Sequence, residues 1–127
     1  MKIAAVSDDG KTISMHFGHA RHFVVSTVEN GQVVSREIRP KAAHGHGERH
    51  EHGPGGHHGP EADNLHARMA SSIDDCQVVL AGGMGRPAYD SLKSRGLEPI
   101  ITDVRDIDQA VKAYIDGTLR NLMERLH

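Results

Sequence analysis

The dipeptide Asn30-Gly31, set between the apolar runs F-V-V-S-T-V (23–28) and Q-V-V-S-R-E-I-R (32–39), constrains this chain more than any other feature. Both residues tolerate positive φ, so a two-residue connection folds the second run back antiparallel on the first until Pro40 stops it. Upstream, K-I-A-A-V-S at residues 2–7 reads as a buried strand ending at the turn-forming Asp8-Asp9-Gly10. Downstream, C-Q-V-V-L-A at 76–81 reads as a buried strand that leads through G-G-M-G-R-P into a helix over about 86–95, closed by Gly96. L-E-P-I-I-T supplies a last strand. Asp106 and Gln109 form a D-x-x-Q capping box ahead of the apolar stripe Ile107, Ala110, Val111, Tyr114 and Ile115. Gly117 interrupts that stripe, and Leu119, Leu122, Met123 and Leu126 predict a further, terminal helix.

A hairpin meander followed by two βα units predicts an α/β fold. Crossovers of helical length make the later strands parallel. The expected sheet is five-stranded and mixed, in order 3-2-1-4-5, with strand 2 antiparallel and helices on its faces. If strands 1 and 4 are neighbours, the connections leave them in opposite directions and open a crevice at their C-terminal ends, where α/β proteins bind ligands. The loops after strands 1 and 4 meet there, and strand 3 ends on the same edge.

Residues 41–60 interrupt this plan with six histidines, six glycines and two prolines and almost nothing to bury, which predicts a flexible low-complexity insertion in a single domain spanning 1–127. Gly59-Pro60 then marks a helix start, with Ala62, Leu65, Met69 and Ile73 at helical spacing. The chain is 37% hydrophobic with a formal charge of −2, so no basic surface points to nucleic acid, and no apolar run is long enough for a membrane span. The N-terminal apolar run is too short for a signal peptide, so a cytoplasmic location is expected. The single cysteine, Cys76, excludes an internal disulfide and any multi-thiolate framework within one chain, leaving imidazole as the main metal ligand.

Histidine is the outlying residue type, at 11 copies. His16, His19 and His22 stand three apart in I-S-M-H-F-G-H-A-R-H-F, and a turn pivoting at Gly18 would let them converge on a borderline metal. The same spacing suits a loop that Phe17 anchors in the core while histidines cap strand ends. Gly82-Gly83-Met84-Gly85 lies between a strand and a helix, where free backbone N–H groups and the helix dipole can face an anion, with Arg86 adding charge. It matches neither a Walker loop nor G-x-G-x-x-G, and glycines that only permit a tight turn would look the same. His44, His46, His50, His52, His57 and His58 of the insertion form H-x-H and H-H pairs able to wrap a cation such as Ni, Zn, Cu or Co. Cys76, opening a buried strand, reads as a small core residue. Asp8-Asp9 lacks the further converging carboxylates that two-metal hydrolysis needs and reads as a turn.

With these segments placed, the chain resembles the dinitrogenase iron-molybdenum cofactor family, the small domain found as NifX and at the C-terminus of many NifB proteins. The resemblance rests on M-K-I-A-A-V-S-D-D-G, I-S-M-H-F-G-H-A-R-H-F, A-G-G-M-G-R-P-A-Y-D-S-L and A-Y-I-D-G-T-L, nearly the whole chain outside about 41–62. It implies a ribonuclease H-like fold without nuclease activity. It further implies a carrier, not an enzyme, that binds iron-molybdenum cofactor, its iron–sulfur precursor or a related molybdenum sulfide cluster between donor and acceptor proteins, as in nitrogen fixation. His16 and Gly18, with His19, and the loop of Gly82, Gly83, Met84, Gly85 and Arg86 would form that site, and Met15 and Met84 offer thioethers. The alternative expectation is a mononuclear metal-binding or storage protein acting through the His-rich insertion.

Overall fold

The computed structural model of the protein describes residues 1–40 and 72–126, without the side chain of His19. Five strands, β1 (Lys2–Ser7), β2 (His22–Glu29), β3 (Gln32–Pro40), β4 (Val78–Ala81) and β5 (Glu98–Ile101), form one sheet in order β3-β2-β1-β4-β5. β2 runs antiparallel to β1 and β3, while β4 is parallel to β1 and β5. Asn30 and Gly31 both take positive φ, 54° and 76°, as the hairpin requires. β3 and β2 lose regular register between Thr27 and Val28, where Val34 is the extra residue of a bulge.

Helix α1 (Arg86–Ser94) joins β4 to β5, with Pro87 in its first turn. Helix α2 (Ile107–Asp116) follows β5; the Asp106 carboxylate accepts the Gln109 N–H at 2.9 Å, and Gly117 closes the helix at φ 80°. Arg36, Ser26, Ile3, Val78 and Glu98 form one row across all five strands. Asp108 reaches Arg36 at 2.6 Å and the Tyr114 hydroxyl donates to Glu98 at 3.1 Å, so α2 lies across this face with Ile107, Ala110 and Val111 buried beneath it.

Three expectations meet a different outcome or fall outside the description. The predicted terminal helix is not formed: after Gly117 only a 3-10 turn, Met123–Arg125, appears. The Leu122 N–H donates to the Ile101 carbonyl, the Ile101 N–H donates to Asn121 Oδ1, and Leu126 bridges Met84. Tertiary pairing with the β5 edge thus claims backbone groups that a helix would have used internally. The strand expected from Cys76 starts at Val78, because Cys76 still belongs to the turn, its N–H bonded to the Ile73 carbonyl at 2.9 Å. The His-rich insertion and nearly all of the helix expected from residue 62 lie outside the described residues; Ile73, at its end, is buried.

The Arg39 guanidinium holds the Asp75 carboxylate through two bonds of 2.7 and 3.0 Å and also donates to the Ser72 carbonyl. The end of β3 is thereby joined to the approach to β4. This ion pair, with Lys2 at 3.0 Å, holds the Asp75 carboxyl well below the usual carboxylate range.

Candidate functional site

β1 ends at Ser7, whose hydroxyl donates to the Thr12 carbonyl at 2.7 Å and accepts the Gly10 N–H at 2.9 Å. Asp9 closes this turn: its carboxylate accepts the N–H groups of Thr12 and Lys11, both at 2.8 Å, and the Thr12 hydroxyl at 2.9 Å, which hold it far below the usual carboxylate range. Asp8 accepts the Arg21 N–H at 3.0 Å, fastening the far end of the histidine loop. The expected turn at Asp8-Asp9-Gly10 is therefore present, with Gly10 at φ 80°.

From Thr12 onward the chain is threaded between β1 and the segment that follows β5. The Ile13 N–H donates to the Arg105 carbonyl at 2.7 Å, Thr12 bridges Asp106, and the Ser14 N–H donates to the Val6 carbonyl at 2.8 Å. The histidine loop and the glycine loop then join through two backbone hydrogen bonds, Gly82 N–H to Ser14 carbonyl at 2.8 Å and Phe17 N–H to Gly83 carbonyl at 3.0 Å. A Cβ at Gly82 would stand 2.9 Å from Met15 Cα and 3.0 Å from the Ser14 oxygen, so any larger residue would force the two backbones apart. Phe17 is buried, its ring 6.1 Å from that of Phe23, and it opens the 3-10 turn Phe17–His19.

This scaffold presents Met15 and His16, both exposed, and a cavity of about 410 Å³ opens beside them. Asp8, Asp9, Thr12, Ile13, Ser14 and Arg105 complete its lining. Arg105 has no ion-pair partner among the described residues. Nothing local in the sequence singles it out, since backbone pairing of residues 105–106 with residues 12–13 brings it to the histidine loop.

The structure separates the expected site residues by environment. His16 lines the cavity; His22 is half-buried at the start of β2, opposite Ser7 and Pro40 on the same rim. The His19 side chain and all six histidines of residues 44–58 lie outside the described residues. Gly18 is exposed, with open space where a Cβ would be. Gly82 and Gly83 are buried in the junction, and Met84 is 1% exposed, its thioether part of the core. Gly85 is the N-cap of α1, without a side-chain cap, and Arg86 beside it is exposed. Among the described residues, no three His, Cys, Asp or Glu side chains are grouped to hold a metal ion. Cys76 lies at the opposite end of β4, and burial together with the Asp75 carboxylate pushes its thiol up to about 12. No helix of the described residues is long and apolar enough to cross a membrane.

Residues 1–117 match the family model for dinitrogenase iron-molybdenum cofactor proteins. The chain belongs to that family. An uncharacterised protein of Methanocaldococcus jannaschii is 27% identical over 121 residues, 94% of this chain and 89% of that one. Among solved structures, the protein PH0822 superposes with a TM-score of 0.67 at 26% identity, covering 95% of this chain and 96% of its own. The apo form of the orange protein from Desulfovibrio gigas superposes at 0.66 with 20% identity, covering 94% and 91%. These likenesses extend over almost the full length of each chain, so the two solved structures share this fold.

Proposed function

We propose that this chain is a non-catalytic carrier for a metal–sulfur cluster, such as iron-molybdenum cofactor, its precursor or a related molybdenum or iron sulfide cluster. It would work in the cytoplasm, between the donor and acceptor proteins of cofactor assembly. The observation that carries the reading is the junction of the two loops: Gly82, buried against Met15 and Ser14, holds Met15 and His16 beside a cavity beyond the C-terminal end of β1.

The residues present suit such a cargo. A preassembled cluster brings its own sulfides, so the protein needs few ligands: His16 supplies an imidazole nitrogen, Met15 a soft thioether, and Arg105 a guanidinium for anionic sulfide. The N-terminus of α1, at half-buried Gly85 and exposed Arg86, adds N–H groups and a second cation to the rim. Asp8 and Asp9 oppose an anion, but Asp9 already accepts backbone and hydroxyl donors within its turn, and Asp8 accepts one. Sparse ligation also favours release to an acceptor. Membership of the family and likeness to a protein known in an apo form support the same reading.

Anaerobic reconstitution with iron, sulfide and molybdate tests it, on wild type, a His16→Ala/His19→Ala double variant and a deletion of residues 42–58. Charge-transfer absorbance that coelutes with the wild type and the deletion, and is lost in the double variant, is expected. Absorbance that follows the insertion instead sinks the proposal in favour of a metal-binding role for the His-rich segment.

A further inference from the structure

The two edges of the sheet are treated differently, and the difference points beyond cargo binding to an interaction surface. At the β5 edge, Asn121 and Leu122 bond both backbone groups of Ile101. At the other edge, β3 is nine residues long and all but Arg39 are exposed. Val33, Val34 and Ile38 are 45%, 55% and 58% exposed, and Ile38 is the most exposed large apolar side chain among the described residues. The N–H and C=O groups of an edge strand template another strand, and natural sheets limit this with charge, proline or bulges; β3 carries the bulge at Val34 and charges at Arg36, Glu37 and Arg39, which restrict the register in which a partner can pair.

The bulge at Val34 twists the first part of β3 out of regular pairing, which leaves residues 35–40 as the straight segment. On this segment the charge order is Arg36, Glu37, Ile38, Arg39. A second copy laid antiparallel along it meets itself about a two-fold axis, and the axis position decides which residues face each other. Centred on Glu37, the axis sets Glu37 against its own copy; centred on Arg36, it sets arginine against arginine. Centred on Ile38, it sets Ile38 against Ile38, and Glu37 against Arg39 of the second copy twice. Within one chain Arg39 already pairs with both Glu37 and Asp75, so the cross-junction contacts would join two such charge clusters.

We propose that β3 is a self-association edge, through which two copies of this chain pair antiparallel about Ile38. The two sheets then join into one of ten strands, with the cluster rims facing away from each other because the paired strands run in opposite directions. The interface is short, so the dimer is reversible and concentration-dependent.

Sedimentation of the full-length protein up to millimolar concentration should show a monomer–dimer equilibrium, and Ile38→Lys should weaken it by about tenfold or more by placing two cations at the axis. A second measurement does not depend on that substitution being tolerated. Cα atoms directly opposite in an antiparallel pair are about 4.5–5.5 Å apart, a disulfide-compatible separation. Ile38→Cys should therefore form an intermolecular disulfide under mild oxidation, while Met123→Cys, an exposed apolar position on the C-terminal segment, should not. Buried Cys76 leaves the background low. A wild type that stays monomeric throughout, a dimer indifferent to Ile38→Lys, or equal cross-linking at positions 38 and 123 would each overturn the proposal.

Discussion

The two loops that meet at the C-terminal ends of β1 and β4 do opposite things with similar material. The glycine loop places Gly82, Gly83 and Met84 in the interior, where they make backbone bonds and fill space. The histidine loop buries only Phe17 and Ala20 of residues 15–20 among the positions described, and exposes Met15, His16 and Gly18. One loop is a mount and the other is what is mounted. The contrast is sharpest between two glycines: Gly82 has backbone atoms within 3.0 Å of where a Cβ would stand, whereas Gly18 has nothing within 4 Å. A glycine in a loop is thus evidence of close packing in one case and of none in the other, and only the surroundings tell them apart.

Three substitutions test the difference between the two loops. Phe17→Ala should cost the most, about 3–5 kcal/mol, because it removes a buried ring packed on Phe23. Urea unfolding measures it, and a loss below about 1 kcal/mol would mean that Phe17 does not anchor the loop. Gly82→Ala should cost about 1–3 kcal/mol, since Met15 and Ser14 backbone must retreat from the added methyl. The same variant should lose protection from hydrogen exchange at the Gly82 and Phe17 amides, and retained protection would show that the junction yields without opening. Gly18→Ala should change stability by no more than about 0.5 kcal/mol, because its φ is not positive and the space is open. A large loss there, read in the same unfolding experiment, would erase the distinction between the two glycines.

The junction also changes what the candidate site consists of. Read along the chain, the glycine motif offers four residues to a ligand; in the folded protein the Gly82 N–H belongs to Ser14, and Met84 is core. What remains exposed on that side is Arg86 at the start of α1, beside half-buried Gly85. In exchange the cavity gains Arg105, contributed by a segment ninety or so positions away from the histidine loop. His16 stays where the motif led, and Met15, named only as a soft neighbour, stands beside it on the cavity wall.

Much of the fold was open to reading because its determinants are local. Asn30-Gly31 sets a hairpin through φ preferences, Asp106 caps the helix that starts at the next residue, and the continuous apolar runs and the helical apolar spacing mark the buried segments. The strand order 3-2-1-4-5 expected from a hairpin meander followed by two βα units is the one observed. Tertiary structure alone decided the fate of residues 118–126, whose helical spacing of leucines is overridden because Ile101 and Met84 offer backbone and apolar partners at the sheet edge. It alone decided that Arg39 clasps Asp75 and that Arg105 lines the cavity. The physical reason is the same in each case: φ preferences and side-chain periodicity act within a few residues, whereas backbone pairing, close approach and charge contact depend on which distant segments the completed sheet brings together.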